Sequence, residues 1–325
     1  MLRQAAGAAG GAVVSILTDY GLCDGFVGAL HSVLRRRAPG CPIVDLTHGI
    51  RRQDVRAGSL ALLRAAPYLA DGVVLAIVDP GVGTGRRGIA AGRQAEPAGS
   101  PRVSFVAPDN GLVVPALEAL GGDWQVAVLA DQALRLPAPG PTFDGRDVFA
   151  PVAAHLATGG RLGDLGPSLP YGQLVRLPPP ALRWGRDGVL ECEVTWVDYY
   201  GNVQLAARAG TPPARGLLAG GPVQVSAGPA TVVHPDSHSG GPSPGGARSP
   251  GGAPSPGGGR PEGGLVARPV RAFADLVPGE LGLIVDSYGH LALCLNGSSA
   301  AEATGLEEAG TVTLRPGGMV GREKE

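Results

Sequence analysis

An α/β N-terminal domain with a mostly parallel sheet, followed by a smaller all-β C-terminal domain, is the fold class this sequence predicts. Three observations predict it. From residue 12 to 162, continuous apolar runs alternate with segments of helical spacing. From residue 188 onward, short strands and turns replace that alternation. The 325 residues are also enough for two ordinary domains, each with its own core.

Residues 1–11 read as a flexible leader. AVVSILT reads as the first strand, and DGFVGALHSVLRRR as a helix with Asp24 at its start and three arginines at its end. PIVDLTH is the second strand and QDVRAGSLALLRAAPYL the second helix. GVVLAIVDPGVG is a third strand ending in a glycine-rich loop. VSFVAPDNG, LVVPALEALGG and WQVAVLA continue the alternation, and RDVFAPVAAHLATG closes it as the last helix of domain 12–162. Continuous apolar strands separated by helices mean a mostly parallel sheet covered on both faces.

Residues 163–187 are rich in Pro, Gly and Leu and read as a linker. In 188–318, LECEVTWVDYYGNVQLAA and GELGLIVDSYGHLALCLNG each read as a hairpin, in a region without helices. VDYYGNVQLA echoes VDSYGHLALC, a weak internal repeat. Both turns present a carboxylate and an aromatic at one edge: Asp198 with Tyr200, and Asp286 with Tyr288. Between the hairpins, residues 234–264 offer almost no apolar side chains to offset ordering entropy, so they read as a disordered insertion. His234, Asp236 and His238 lie there, but a flexible tract supplies no fixed geometry and no metal site is expected. Residues 319–325 are a tail.

Composition excludes several classes. A net charge of −1 gives no footprint for nucleic acid or an anionic membrane. The only lysine is Lys324, which excludes a Schiff-base or P-loop lysine in the core. GVGTG lacks the spacing of a phosphate loop. The apolar runs are too short to span a bilayer, and the N-terminus lacks the leucine-rich stretch of a signal peptide. Four scattered cysteines without a C-x-x-C read as reduced thiols. The expectation is a cytoplasmic protein with no cofactor and no metal, and the Arg-rich, Lys-poor composition suggests a bacterial source.

In open α/β sheets, ligands bind beyond the carboxyl ends of the strands. Asp19 and Asp24 lie at the first strand end, Asp79 at the third with Arg86 seven residues on, and Asp109 with Asn110 at another. Any one of these Asp residues serves equally well as a cap or turn former. Three strand ends behaving alike point to an acidic crevice, where a carboxylate accepts from both hydroxyls of a ribose diol. PTFDGRDVFAP, residues 141–151, poses a separate question. Asp147 suits the N-terminus of the following helix. Asp144 has no such explanation: it is either a turn residue or it faces a reaction.

LTDYGLCDGFVGALHSVL, IVDLTHGIRRQDVRAGSLAL, AIVDPGVGTGRR, FVAPDNGL, TFDGRDVFAPVAAHLA, VDYYGN and DSYGHLALCLNGSSAA occur in that order. Together they resemble the S-adenosyl-L-methionine hydroxide adenosyltransferase family, relatives of fluorinase and chlorinase, from about residue 13 to 316 outside the insertion. The resemblance implies that the C-terminal domain is a β-barrel. It also implies a homotrimer, with each active site between one subunit's N-terminal domain and the next subunit's C-terminal domain. The implied reaction is hydrolysis of S-adenosyl-L-methionine to adenosine and L-methionine, by water or hydroxide attack at C5′. The sulfonium is already an activated leaving group, so the reaction needs no metal.

Position by position, the resemblance makes Asp79, Arg86 and Asp144 the water-positioning set. The family has histidine, in a TFHGRD stretch, where this chain has Asp144. Asp19 and Asp24 resemble ligands of the adenosine part, with Asp24 on the ribose diol and Phe143 in the same substrate-binding set. Asp198 would face the methionine ammonium, Tyr200 would pack on adenine, and Asn202 would bond its edge. Ser287 and Tyr288 resemble contacts to the methionine end, and the backbone from Leu295 to Gly297 would read adenine. Hairpin-turn packing is the other reading of Tyr200 and Tyr288. The histidine-to-aspartate departure leaves a second functional reading, a non-catalytic adenosine- or S-adenosylmethionine-binding protein. A halogenase is a third reading, disfavoured because Asp79 and Asp144 would repel an anion.

Overall fold

The computed structural model describes residues 12–93, 99–228 and 264–317. The chain divides into two compact units, Met1–Pro178 and Pro179–Glu325.

The first unit is built from β1 (Val13–Thr18), α1 (Phe26–Arg37), β2 (Ile43–Thr47), α2 (Val55–Ala65), β3 (Gly72–Ile77), β4 (Gly88–Arg93), β5 (Val103–Pro108), α3 (Val114–Leu120), β6 (Trp124–Val128), α4 (Ala150–Ala157) and β7 (Ser168–Leu169). The strands form one sheet in the order β2-β1-β3-β5-β4-β6-β7. β2, β1, β3 and β5 run parallel. Successive strand residues face opposite sides, so Ile16 and Leu75 enter one core while Leu17 and Val74 enter the other. Leu30 and Leu34 of α1 and Val152 of α4 cover the first face; Leu62 of α2 and Leu117 of α3 cover the second.

The remaining strands β4, β6 and β7 pair antiparallel. β4 escapes the sequence reading because GIAAGR carries little apolar bulk. It lies between β5 and β6 and pairs antiparallel with both. The stretch 163–187 is also not the linker expected of it: β7 pairs with β6 in the first sheet, and β8 (Leu182–Trp184) pairs with β9 in the second. Proline content hid both strands, each of which is only two or three residues long.

The second unit contains β8, β9 (Leu190–Val197), β10 (Val203–Arg208), α5 (Pro212–Ala219), β11 (Val223–Ala227), β12 (Leu265–Pro269), β13 (Leu281–Val285), β14 (His290–Cys294), α6 (Ala300–Thr304) and β15 (Thr311–Pro316). β9 pairs with β15 through its first half and with β10 through its second, which closes seven strands into a barrel. β8 adds to β9 from outside that ring. Both expected hairpins form, β9–β10 and β13–β14, and β10 pairs with β14 so that the two repeats lie side by side. The short helices α5 and α6 were not expected; α5 opens on a proline, which suits a first helical position. The insertion expected to be disordered lies, except for Gly264, outside the described residues.

All four cysteines are free, as read from their spacing; Cys23 is exposed and the other three are buried. Burial pushes the Cys192 thiol up to about 12 and the Cys294 thiol up to about 11. A thiol reagent at pH 8 should therefore label Cys23 alone in the native protein and all four thiols after denaturation. Mass spectrometry of the adducts checks this, and rapid native labelling of Cys192 would contradict the barrel core. Among the described residues, no helix is long and apolar enough to cross a membrane.

Candidate active site

The parallel strands β1, β3 and β5 deliver Asp19, Asp79 and Asp109 at their carboxyl ends. After β3, the loop from Asp79 to Arg86 is a series of short turns. Val82 N–H donates to the Asp79 carbonyl at 3.3 Å, Thr84 Oγ1 to the Gly81 carbonyl at 2.6 Å, and Arg86 N–H to Thr84 Oγ1 at 3.3 Å. These turns fold Arg86 back onto Asp79. Arg86 Nε donates to both Asp79 carboxylate oxygens at 2.8 and 2.9 Å, and Nη2 bonds the same carboxylate. Nη2 also donates to Asp144 Oδ2 at 2.5 Å. One guanidinium thus joins two carboxylates, and it sits 5.0 Å from the centre of the Phe149 ring.

The side chains of Asp79, Arg86 and Asp144 are 7, 15 and 20% exposed. Burial works against the Arg86 charge, but the hydrogen bonds and charges of Asp79 and then Asp144 outweigh it and raise its pKa above the usual value. Bidentate and charge-assisted bonds of this kind fix geometry as well as charge.

The question posed by PTFDGRDVFAP has a structural answer. Asp144 precedes a π-helical turn, Gly145–Phe149, that runs into α4, and its side chain makes no capping bond. Its carboxylate faces Arg86 instead. Such turns are rare and recur at functional sites. Asp147, in the first turn, is held by Arg146 through bonds of 2.6 and 2.8 Å. A side chain at Gly145 would have to displace Tyr20, because a Cβ there would lie 2.2 Å from the Tyr20 hydroxyl.

Tyr20, Phe26 and Phe143 form a ring cluster with centroids 5.2–5.7 Å apart. Burial, then the charges of Asp19, Asp79 and Asp144, push the Tyr20 pKa well above its usual value, with Arg86 opposing. Tyr20 and Phe26 are functional-site candidates that the sequence reading passed over. Their signal was local: aromatics bracketing the Asp19–Asp24 loop.

The other expected residues divide clearly. Asp19 Oδ2 accepts from Gln53 N–H at 2.7 Å, and Gln53 holds a left-handed backbone, φ 65°. Asp24 is exposed and has no hydrogen-bond partner among the described residues; the N-cap of α1 is Gly25, with no side-chain capping bond. The cap explanation of Asp24 therefore fails. Asp109 and Asn110, by contrast, are fasteners. Asp109 accepts from Arg87 Nε at 2.8 Å and Val175 N–H at 2.9 Å, and Asn110 donates to the Val78 carbonyl at 2.8 Å.

In the second unit the two repeats form the same turn. Asp198 Oδ1 accepts from the N–H groups of Tyr200 and Asn202, both at 2.9 Å. Asp286 Oδ1 accepts from those of Tyr288 and His290, at 2.9 and 2.8 Å. Gly201 and Gly289 supply the required positive φ, 80° and 78°. Asn202 donates its side-chain N–H to Asp198 Oδ2 at 2.8 Å. Tyr200 is 76% exposed, whereas Tyr288 stands edge-on to Trp196 at 6.0 Å. Ser287 and Gly297 are exposed, Leu295 is buried, and a Cβ on Gly201 would strike Ser299. The turn 198–202 and the loop 295–299 thus adjoin at one end of the barrel.

The chain thus combines an α/β unit bearing an acidic, arginine-bridged cluster at its strand ends with a closed β-barrel. Residues 14–166 match the model of the SAM hydroxide adenosyltransferase N-terminal domain. The (R)-S-adenosyl-L-methionine hydrolase of Salinispora tropica is 40% identical over 295 residues, which is 90% of this chain and 94% of that protein. A fluorinase from an Actinoplanes species is 28% identical over 213 residues, covering 60% of this chain and 71% of that one. A crystal structure of an uncharacterised conserved protein from Thermotoga maritima superposes with a TM-score of 0.73 at 27% identity, covering 93% of this chain and all of that one. The chain belongs to the SAM hydroxide adenosyltransferase family.

Proposed function

We propose that this protein hydrolyses S-adenosyl-L-methionine to adenosine and L-methionine. The observation that carries the reading is the Asp79–Arg86–Asp144 cluster at the strand ends, in a chain 40% identical along most of its length to a named hydrolase of that substrate. Water or hydroxide attacks C5′ in line with the C5′–S bond. The new C–O bond forms as the C–S pair returns to sulfur, leaving a neutral thioether. Two carboxylates on one guanidinium leave the cluster one negative charge in excess, which suits a sulfonium substrate and an incoming water. The same charge repels halide. Asp144 orients the water or takes its proton, and Arg86 keeps the two carboxylates from repelling each other. The sulfonium is an activated leaving group, so the chemistry calls for no cofactor.

Incubation with S-adenosyl-L-methionine, with and without chloride or fluoride, tests the reading. Adenosine and methionine should appear in equal amounts, at a rate that halide does not change. Unchanged substrate, or a 5′-halo-adenosine, would overturn it.

Asp24, whose carboxylate has no partner among the described residues, holds the ribose diol in this reading. Asp24→Ala should weaken adenosine binding by about 1.5–3 kcal/mol, the cost of a hydrogen bond to a charged group. Binding of 2′,3′-dideoxyadenosine should hardly respond; titration calorimetry with both ligands makes the comparison, and equal losses would assign Asp24 a structural role. The barrel residues Asp198, Tyr200, Asn202, Ser287 and Tyr288, with the backbone at Leu295 and Gly297, complete the site from a neighbouring subunit of a homotrimer. Light scattering that returned a monomer would refute that assembly. Four free thiols fit a cytoplasmic location.

A further inference from the structure

Away from the Asp79–Arg86–Asp144 cluster, three side chains converge between α1 and the edge strand β2. His31 lies in the middle of α1. Asp45 lies on β2, on the same strand face as Ile43, which packs against the core that α1 covers. His48 follows the end of β2. His31 Nε2 is 2.9 Å from Asp45 Oδ1, and His48 Nε2 is 3.0 Å from the same oxygen. One ligand atom from each of the three lies within 4.8 Å of the others.

Hydrogen bonding accounts for only part of this arrangement. His31 Nε2 and Asp45 form a hydrogen bond. His48 Nε2 does not: it is buried, its side chain is 5% exposed, and it makes no hydrogen bond despite its approach to the carboxylate. Its contact with Asp45 is that of an ion pair without the direction of a hydrogen bond. Its other nitrogen, Nδ1, is tied to Thr18 Oγ1 at 2.8 Å. Thr18 is fully buried at the end of β1, and its Oγ1 accepts from the Tyr20 N–H. A hydroxyl can also accept from Nδ1–H, and then Nε2 presents a lone pair to Asp45. In that tautomer a cation between Nε2 and the carboxylate removes the repulsion of lone pair and charge.

We propose that His31, Asp45 and His48 bind one Zn²⁺ ion, through the two Nε2 atoms and a carboxylate oxygen. Ligand bonds of about 2.0–2.2 Å in a tetrahedron put ligand atoms about 3.3 Å apart; the two histidine–aspartate separations are 2.9 and 3.0 Å, and all three ligand atoms lie within 4.8 Å of one another. Thr18 is the outer partner that fixes the His48 ring, as such partners do for zinc-bound histidines. Asp45 and His31 are 39 and 35% exposed, which leaves a path for entry and room for a water as fourth ligand. The site joins α1 and β2 to the end of β1, from which the Asp19–Asp24 loop departs. Its role is to brace that loop, and it stands apart from the hydrolytic reading.

The test is calorimetric titration of the metal-free full-length protein with Zn²⁺ alone, with thermal melts alongside. One saturable site per chain and a raised melting temperature are expected. His31→Ala and Asp45→Asn, both at partly exposed positions, should fold like the parent by circular dichroism and lose at least about 100-fold in affinity. A variant carrying both His234→Ala and His238→Ala should bind like the parent. No saturable binding, undiminished binding by His31→Ala, or loss confined to the His234/His238 variant would each overturn the proposal.

Discussion

Replacing Asp144 by Asn should lower the rate of S-adenosyl-L-methionine hydrolysis by roughly 10²–10⁴ while leaving ligand affinity nearly unchanged. The amide keeps the shape of the side chain and can still accept one bond from Arg86 Nη2. In the proposed mechanism it loses the charge that orients water and the basicity that takes its proton. Asp144→His introduces the histidine that the resemblance to the family implies for this place and removes a like-charged neighbour of Asp79. That variant should retain or raise activity, with a shifted pH–rate profile, because a carboxylate pair and a histidine–carboxylate pair titrate differently. Steady-state kinetics of the three proteins across pH settle the matter. If Asp144→Asn is as fast as the parent, the carboxylate merely holds Arg86 in place.

Asp144 also shows how far a sequence can be read. That its carboxylate lacks a capping role was legible from the glycine after it and the aromatic before it. That it meets Arg86, 58 residues away, was legible only through the family pattern, because tertiary proximity leaves no local trace. The parallel strands declared themselves through continuous apolar runs. β4 did not, since a short antiparallel return strand has neither alternation nor bulk. Asp109 read like Asp19 and Asp79 in sequence, yet it spends its carboxylate on Arg87 and the Val175 backbone. Residue type and strand-end position were the same in all three; the partners brought in by residues 173–175 make the difference. The repeat in the barrel was legible, and its physical content is one turn built twice, with an aspartate accepting from the second and fourth residues after it and a glycine at positive φ.

Replacing Arg86 by Met should nearly abolish hydrolysis and destabilise the first unit by about 3 kcal/mol, the low end for removing one partner of a buried ion pair, since this site is slightly open to solvent. The substitution leaves Asp79 and Asp144 facing each other without the guanidinium they share. The sign of the pH dependence follows. Two unscreened carboxylates favour protonation of one of them, so the folded variant holds a proton that the unfolded chain has released at neutral pH. A group whose folded pKa is raised keeps its stability contribution at low pH and loses it as pH rises. The stability deficit of Arg86→Met against the parent should therefore be small near pH 4 and grow toward pH 7. Adding Asp79→Asn removes one of the facing charges, so the double variant should recover part of the lost stability and none of the activity. Urea denaturation of the parent, the single and the double variant at both pH values measures all of this. A deficit independent of pH and untouched by the second substitution would mean that Arg86 stabilises the unit through its packing on Phe149 and not by neutralising the pair.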